Sequence, residues 1–154
     1  MGVRVPLPPH CLTHKLRIMI DYDIVVVTDF NQKCIVPKRK EDGHNLGSLV
    51  IQDVSSNYYN RFAEYCNGNG KLMVIKLVLV HQKYAGNGIA TALIQKALEI
   101  YKDYNFVLLV CPCAHMAMNV DQLQEFYSKF GFVRTGELQR TMIRKASLPT
   151  SGES

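Results

Sequence analysis

No apolar run in this sequence is long enough to span a bilayer, so no transmembrane helix is expected. Residues 1–14 lack the apolar core of a secretory leader. Cysteine is sparse and odd in number. Cys11, Cys34, Cys66, Cys111 and Cys113 follow no small-scaffold spacing, which points to reduced thiols and a cytoplasmic setting. Dense basic blocks are missing as well: there is only Lys38-Arg39-Lys40, and so short a run reads as a solvated loop rather than a nucleic-acid patch. No internal repeat is visible.

What is present fits one globular domain. A chain of 154 residues can bury a proper core, and its 47% hydrophobic and 20% charged fractions are ordinary for such a domain. The net charge of +5 and the pI near 9.0 suit an acidic ligand such as a nucleotide cofactor, and are compatible with nucleic acid. The domain is expected over residues 16–145. Residues 1–15 are proline-rich and aperiodic, and residues 146–154 carry serines, Pro149 and Gly152; both read as disordered. The string Val3-Arg4-Val5-Pro6-Leu7 is what a transfer-RNA T-arm would encode, which makes Met19 an alternative start.

Residues 16–30 are rich in β-formers, with Ile24, Val25, Val26 and Val27 reading as a buried strand. A turn at 31–33, a short strand at 34–36, a loop from Pro37 to Asn45 and a strand at 47–53 follow. Residues 57–66 fit a short helix, and Asn67-Gly68-Asn69-Gly70 breaks the chain. Residues 72–80 are apolar on both faces, as a central strand requires. Ile89, Leu93, Ala97 and Ile100 then recur at helical spacing, and 106–110 is a second buried strand. Strand, helix and strand imply a right-handed crossover and parallel pairing. A second helix is expected over 121–130, with a capping box of Asp121 and Gln124 and a stop at Gly131. Residues 132–134 and 138–144 read as two strands around Thr135-Gly136.

The chain is organised around residues 80–93, where a strand passes through Gly86 and Gly88 into a helix. Such a junction exposes unpaired N–H groups at the positive end of the helix dipole, so it should bind an anion, most naturally a phosphate.

Two stretches here resemble motifs of the GNAT superfamily of acyl-coenzyme A-dependent N-acyltransferases. Tyr84-Ala85-Gly86-Asn87-Gly88-Ile89-Ala90 is similar to that family's pyrophosphate loop. Phe126-Tyr127-Ser128-Lys129-Phe130-Gly131-Phe132 is similar to its later helix and Gly-Phe signature. Their order and separation agree too, over roughly half of the chain. The resemblance implies an α/β (α+β) fold: a central mixed sheet with two splayed parallel strands and flanking helices. It further implies acetyl-CoA as cosubstrate, no metal, and an amine acceptor (a small molecule, a protein or an aminoacyl-tRNA). Leu79, Val80, Ala85, Gly86, Asn87, Gly88, Ile89 and Ala90 become the coenzyme-binding residues. Two departures stand out. Ala85 occupies a place where the family usually has Arg or Gln, a loss of about 1.5–3 kcal/mol if one charged hydrogen bond is missing. The region before Gly70 shows strands and one short helix where the family usually has two helices.

Tyr127 is implied as the general acid. A phenol titrates near roughly 10 against roughly 8.5 for a thiol, so it stays protonated at neutral pH and can share a proton with departing sulfur. The spacing of Leu123, Phe126, Tyr127 and Phe130 by itself reads as core packing. The base is unassigned, with His115, Asn119, Glu64 and Asp53 as candidates. Cys111, Cys113 and His115 resemble half a zinc site, but Pro112 interrupts them and no second ligand pair follows. His81 precedes the turn and is a candidate phosphate neighbour. Direct attack by a primary amine on acetyl-CoA is the expected reaction. The alternatives are an acyl-CoA- or partner-binding module without catalysis, and a nucleic-acid-directed member of the same fold.

Overall fold

Residues 72–80 form the middle of a mixed sheet, as their two-sided apolarity requires. The computed structural model describes residues 20–30, 32–53, 72–110, 118–135 and 140–146. Its elements are β1 (Tyr22–Asp29), β2 (Gln32–Arg39), β3 (Gly47–Asp53), β4 (Leu72–Val80), α1 (Ile89–Ile100), β5 (Asn105–Leu109), α2 (Val120–Ser128), β6 (Val133–Arg134) and β7 (Thr141–Arg144). Among the described residues seven strands make one sheet in the order β1-β2-β3-β4-β5-β7-β6. β4 and β5 run parallel, with α1 as their crossover, and the other neighbours are antiparallel.

The parallel pair is short. Leu72, Met73, Val74 and Ile75 face Asn105, Phe106, Val107 and Leu108, and there the pairing stops although β4 continues to Val80. A β-bulge stands at that point: Ile51 faces Ile75 and Val50 faces Leu77, leaving Lys76 as the extra residue of β4. A bulge bends its strand and re-aims the side chains beyond it. Met73 and Ile75 lie in the core before the bulge, and Val78 and Val80 pack against the same core after it. Odd positions thus give way to even ones, and β4 turns away from β5 with its apolar face still inward.

The core joins Ile35, Leu49, Ile51, Met73 and Ile75 of the sheet to Ile89, Leu93, Ile94 and Ala97 of α1 and to Leu123 and Tyr127 of α2. Each fully buried aliphatic side chain contributes about 1.5–3 kcal/mol. The inward stripe of α1 differs from the expected one at its end. Ile94 is buried, whereas Ile100 is 40% exposed on the last turn.

Four further expectations are corrected. The Ile24–Val27 run forms a strand but not a buried one: among the described residues β1 is the sheet edge, and Val25, Val26 and Val27 are exposed. β2 continues through Pro37 to Arg39 instead of ending at Val36. Pro37 has no N–H to place; its carbonyl accepts from Leu46 N–H at 2.9 Å, while the Leu46 carbonyl turns to His81 N–H at 3.0 Å. α2 starts from Asn119, whose side chain accepts from Gln122 N–H as Gln122 Oε1 accepts from Asn119 N–H, both at 2.9 Å. Asp121 and Gln124 have the same spacing, but both already stand within the helix, and Gln124 is buried there. Finally, Ala146 does not open a loose tail; it is buried and donates its N–H to Asn105 Oδ1 at 2.8 Å. The expected arm at 1–15, the helix at 57–66 and Cys111, Cys113 and His115 lie outside the described residues.

Candidate active site

After β4 the chain makes a 3-10 turn, Gln82–Tyr84, and reaches α1 through Ala85, Gly86, Asn87 and Gly88. Gly86 and Gly88 sit at φ of 83° and 76°, the left-handed region where a Cβ is disfavoured. Gly88 is the N-cap of α1 and supplies no side chain to the helix end. The first helical bond runs from Ala92 N–H to the Gly88 carbonyl at 3.0 Å. The N–H groups of Ile89, Ala90 and Thr91 therefore point out of the helix end, and none has an acceptor among the described residues. Asn87 folds back: its Nδ2 donates to the Tyr84 carbonyl at 2.9 Å. The result is a backbone cradle of positive partial charge, open to an anion.

The cradle forms one end of a cavity of about 550 Å³. Val80, Ala85, Gly86, Gly88, Ile89 and Ala90 line it together with Tyr127 from α2. Residues expected from two separate motifs thus meet around one space. Val78, Gln82, Tyr84, Thr91, Met118, Leu123 and Phe126 complete the lining; Tyr84 and Phe126 stand in the two motifs, but none of the seven is among the binding residues those motifs imply. Two of these were within reach of pattern: Val78 lies two residues before Val80 on a strand, and Leu123 lies four before Tyr127 on a helix.

Leu79 and Asn87 do not line the cavity. The reason for Leu79 is the alternation of an antiparallel ladder. His81 N–H donates to Leu46 on the β3 side, and the Leu79 carbonyl lies so close to Gly47 that a side chain there would collide with it. The backbone groups of Leu79 thus serve β3, and those of Val78 and Val80 face the gap that β5 has vacated.

Tyr127 is 5% exposed, with ring centroids of Phe126 and Phe132 at 5.3 and 6.4 Å in edge-on arrangements. Core packing and access to the cavity are both true of it. The base candidates fare differently. Asn119 is spent on the cap of α2. Asp53 is exposed opposite Met73, at the other end of β4 from Val80, about 23 Å away at strand rise. Glu64 and His115 lie outside the described residues. His81 is exposed beside His44, ring centroids 6.4 Å apart. Among the described residues no three potential ligands gather as a metal site. Two hollows around Arg134, on the far side of α2, share no residue with the cavity.

Comparison with known proteins adds a family and a fold. The sequence profile of the acetyltransferase (GNAT) family matches residues 6–132. A search of curated proteins finds no match. Among solved structures, histone acetyltransferase HPA2 and related acetyltransferase from Corynebacterium glutamicum superposes with a TM-score of 0.57 at 15% identity, over 79% of this chain and 68% of its own. Ard1 from Thermoplasma volcanium gives 0.53 at 20% identity, over 75% and 71%. AtaTR, solved with bound AcCoA, gives 0.52 at 12% identity, over 79% and 69%. At these identities the likeness is one of fold.

Proposed function

The chain belongs to the acetyltransferase (GNAT) family, and from that membership we propose that it transfers an acetyl group from acetyl-CoA to a primary amine by direct attack. The observation that carries the reading is the convergence of the open N–H cradle, the gap-facing edge of β4 and Tyr127 on one cavity. A volume near 550 Å³ suits the pantetheine arm and acyl end of such a molecule, with apolar walls from Val78, Val80, Ile89 and Phe126. AtaTR holds AcCoA on this fold, which supports the same ligand here.

Acetyl-CoA supplies the activated acyl group and a sulfur leaving group. The chain supplies position and charge. Backbone N–H groups at Gly86 to Thr91 hold the pyrophosphate. An N–H at Val78 or Val80 points into the gap where the carbonyl oxygen would lie, and a preorganised donor there stabilises charge that develops as the amine attacks. The C–N bond forms, the C–S bond breaks, and the Tyr127 hydroxyl gives or shares a proton with the departing sulfur. The proton lost by the amine leaves to solvent, and no residue is assigned to it.

Tyr127→Phe tests the acid role. Turnover should fall about 10²- to 10⁴-fold at unchanged folding, measured by steady-state acetyl transfer and by circular dichroism. Full activity in that variant would end the assignment. A second reading, acyl-CoA binding without catalysis, is favoured by one feature: Ala85 lines the cavity with a methyl group and no donor. Tight acetyl-CoA binding with no transfer to any of a broad panel of amines would select it.

A further inference from the structure

The turn before α1 is gripped from a different part of the sheet. Tyr84 stands directly ahead of it, with its ring 5% exposed and its carbonyl holding Asn87 Nδ2 at 2.9 Å. The Tyr84 hydroxyl accepts from Arg39 Nη1 at 3.0 Å, across 45 residues of sequence. Arg39 ends β2 and is itself fixed: Nε and Nη2 donate to the two oxygens of Asp42 at 2.9 and 2.8 Å. Asp42 Oδ1 also accepts from His44 N–H at 3.1 Å. The backbone of this β2–β3 turn closes on the pair, with Gly43 N–H donating to Arg39 at 2.7 Å and Arg39 N–H to His44 at 2.9 Å.

We infer that Arg39 and Asp42 are positioning residues for the coenzyme. The bidentate pair aims Nη1 at the Tyr84 hydroxyl, Tyr84 fixes Asn87, and the Ala85–Gly88 turn is thereby set before the ligand arrives. The inference rests on the reading of that turn as the pyrophosphate site. Its physical basis is preorganisation: a turn with two left-handed glycines has many conformations to lose, and an external brace takes that loss out of the binding step. With alanine at 85 no side chain there contributes a donor, so the geometry of the backbone N–H groups bears more of the affinity.

A competing role for Arg39 is direct contact with phosphate. The geometry speaks against it, because three of the five guanidinium N–H groups are engaged within the protein and Arg39 does not line the cavity. The Arg39 guanidinium and the His44 N–H hold the Asp42 carboxyl well below the usual carboxylate range, so the pair is ionised throughout neutral pH.

The two roles differ in sign. Removing the negative charge of Asp42 beside an anion site should by charge alone tighten coenzyme binding. If the carboxylate is a brace, Asp42→Asn should weaken it. The experiment is titration calorimetry of the full chain with acetyl-CoA, paired with steady-state kinetics. Asp42→Asn and Arg39→Lys, which keeps charge but loses the fork, are each expected to raise Kd and KM about 3- to 10-fold, the size of one net hydrogen bond, with the effect on kcat below twofold. The double variant should be no worse than the weaker-binding single one, because both break a single linkage. Tyr84→Phe removes only the hydroxyl and should reproduce the loss if either substitution at the turn prevents folding. Tighter or unchanged binding in Asp42→Asn, with wild type binding normally, overturns the brace alone. Failure of wild type to bind acetyl-CoA overturns the brace together with the reading of the site.

Discussion

Gly88 joins two demands in one residue. It caps α1 from a left-handed backbone, where Asn, Asp, Ser or Thr would ordinarily cap from an extended one, and it lines the cavity. An added Cβ would meet nothing within 4 Å, so the requirement for glycine is conformational and not a matter of space. Gly47 is the opposite case, where the Leu79 carbonyl occupies the place of a side chain. Gly88→Ala should therefore cost about 1–2 kcal/mol in chemical denaturation, the strain of a left-handed non-glycine residue. If the variant relieves that strain by turning the Ile89 peptide, acetyl-CoA binding weakens as well. A stability loss with unaltered affinity would mean that the turn keeps its geometry under strain.

At the scale of elements, the bulge at Lys76 marks where β4 leaves β5 and the cap at Asn119 where α2 begins, and they differ in how legible they are. The β4 run is plain because a central strand needs apolar residues on both faces, β3 begins and ends where pattern places it, and α1 begins there too. The bulge was not legible: it depends on the register of β3 against β4, which lies between strands and not within either. The β1 run reads as buried, but four β-branched residues in a row fit a strand equally well at an edge. The start of α2 was ambiguous because Asn119 and Gln122 repeat the spacing of Asp121 and Gln124, and only packing chooses between them. That choice is testable. Asn119→Ala should cost about 1 kcal/mol in urea unfolding, the usual value of a lost N-cap. Asp121→Ala should cost less, within the 0.3–1 kcal/mol typical of a first-turn acid at the helix dipole. The reverse order would return the helix start to Asp121.

For the whole molecule, the site stands where the paired part of β4 and β5 ends, between the start of α1 and the inner face of α2. The sequence motifs located both flanks, since glycines at a helix start and an aromatic helix face are local patterns, but the cavity between them is a product of the splay. β1 and β2 are joined directly through Phe30 and Asn31, so the two helices common in the family at that point have no place there. On the proposed function, the acceptor side is then built from other segments, and the coenzyme side from parts of β4, α1 and α2. Because those parts come from β4, α1 and α2 together, a ligand that bridges them should stabilise the fold and not only the turn. At acetyl-CoA concentrations 100-fold above Kd, linkage contributes about 2.7 kcal/mol. For a chain of this length that corresponds to a rise in Tm of about 5–10 °C, readable by differential scanning calorimetry. Gly88→Ala should show a smaller rise at the same concentration, and Ile100→Ala, on the exposed end of α1, an undiminished one. A rise of equal size in the Gly88 variant would mean that the turn keeps its geometry under strain, whereas no rise in the wild type would place the ligand, and with it the centre of the site, elsewhere.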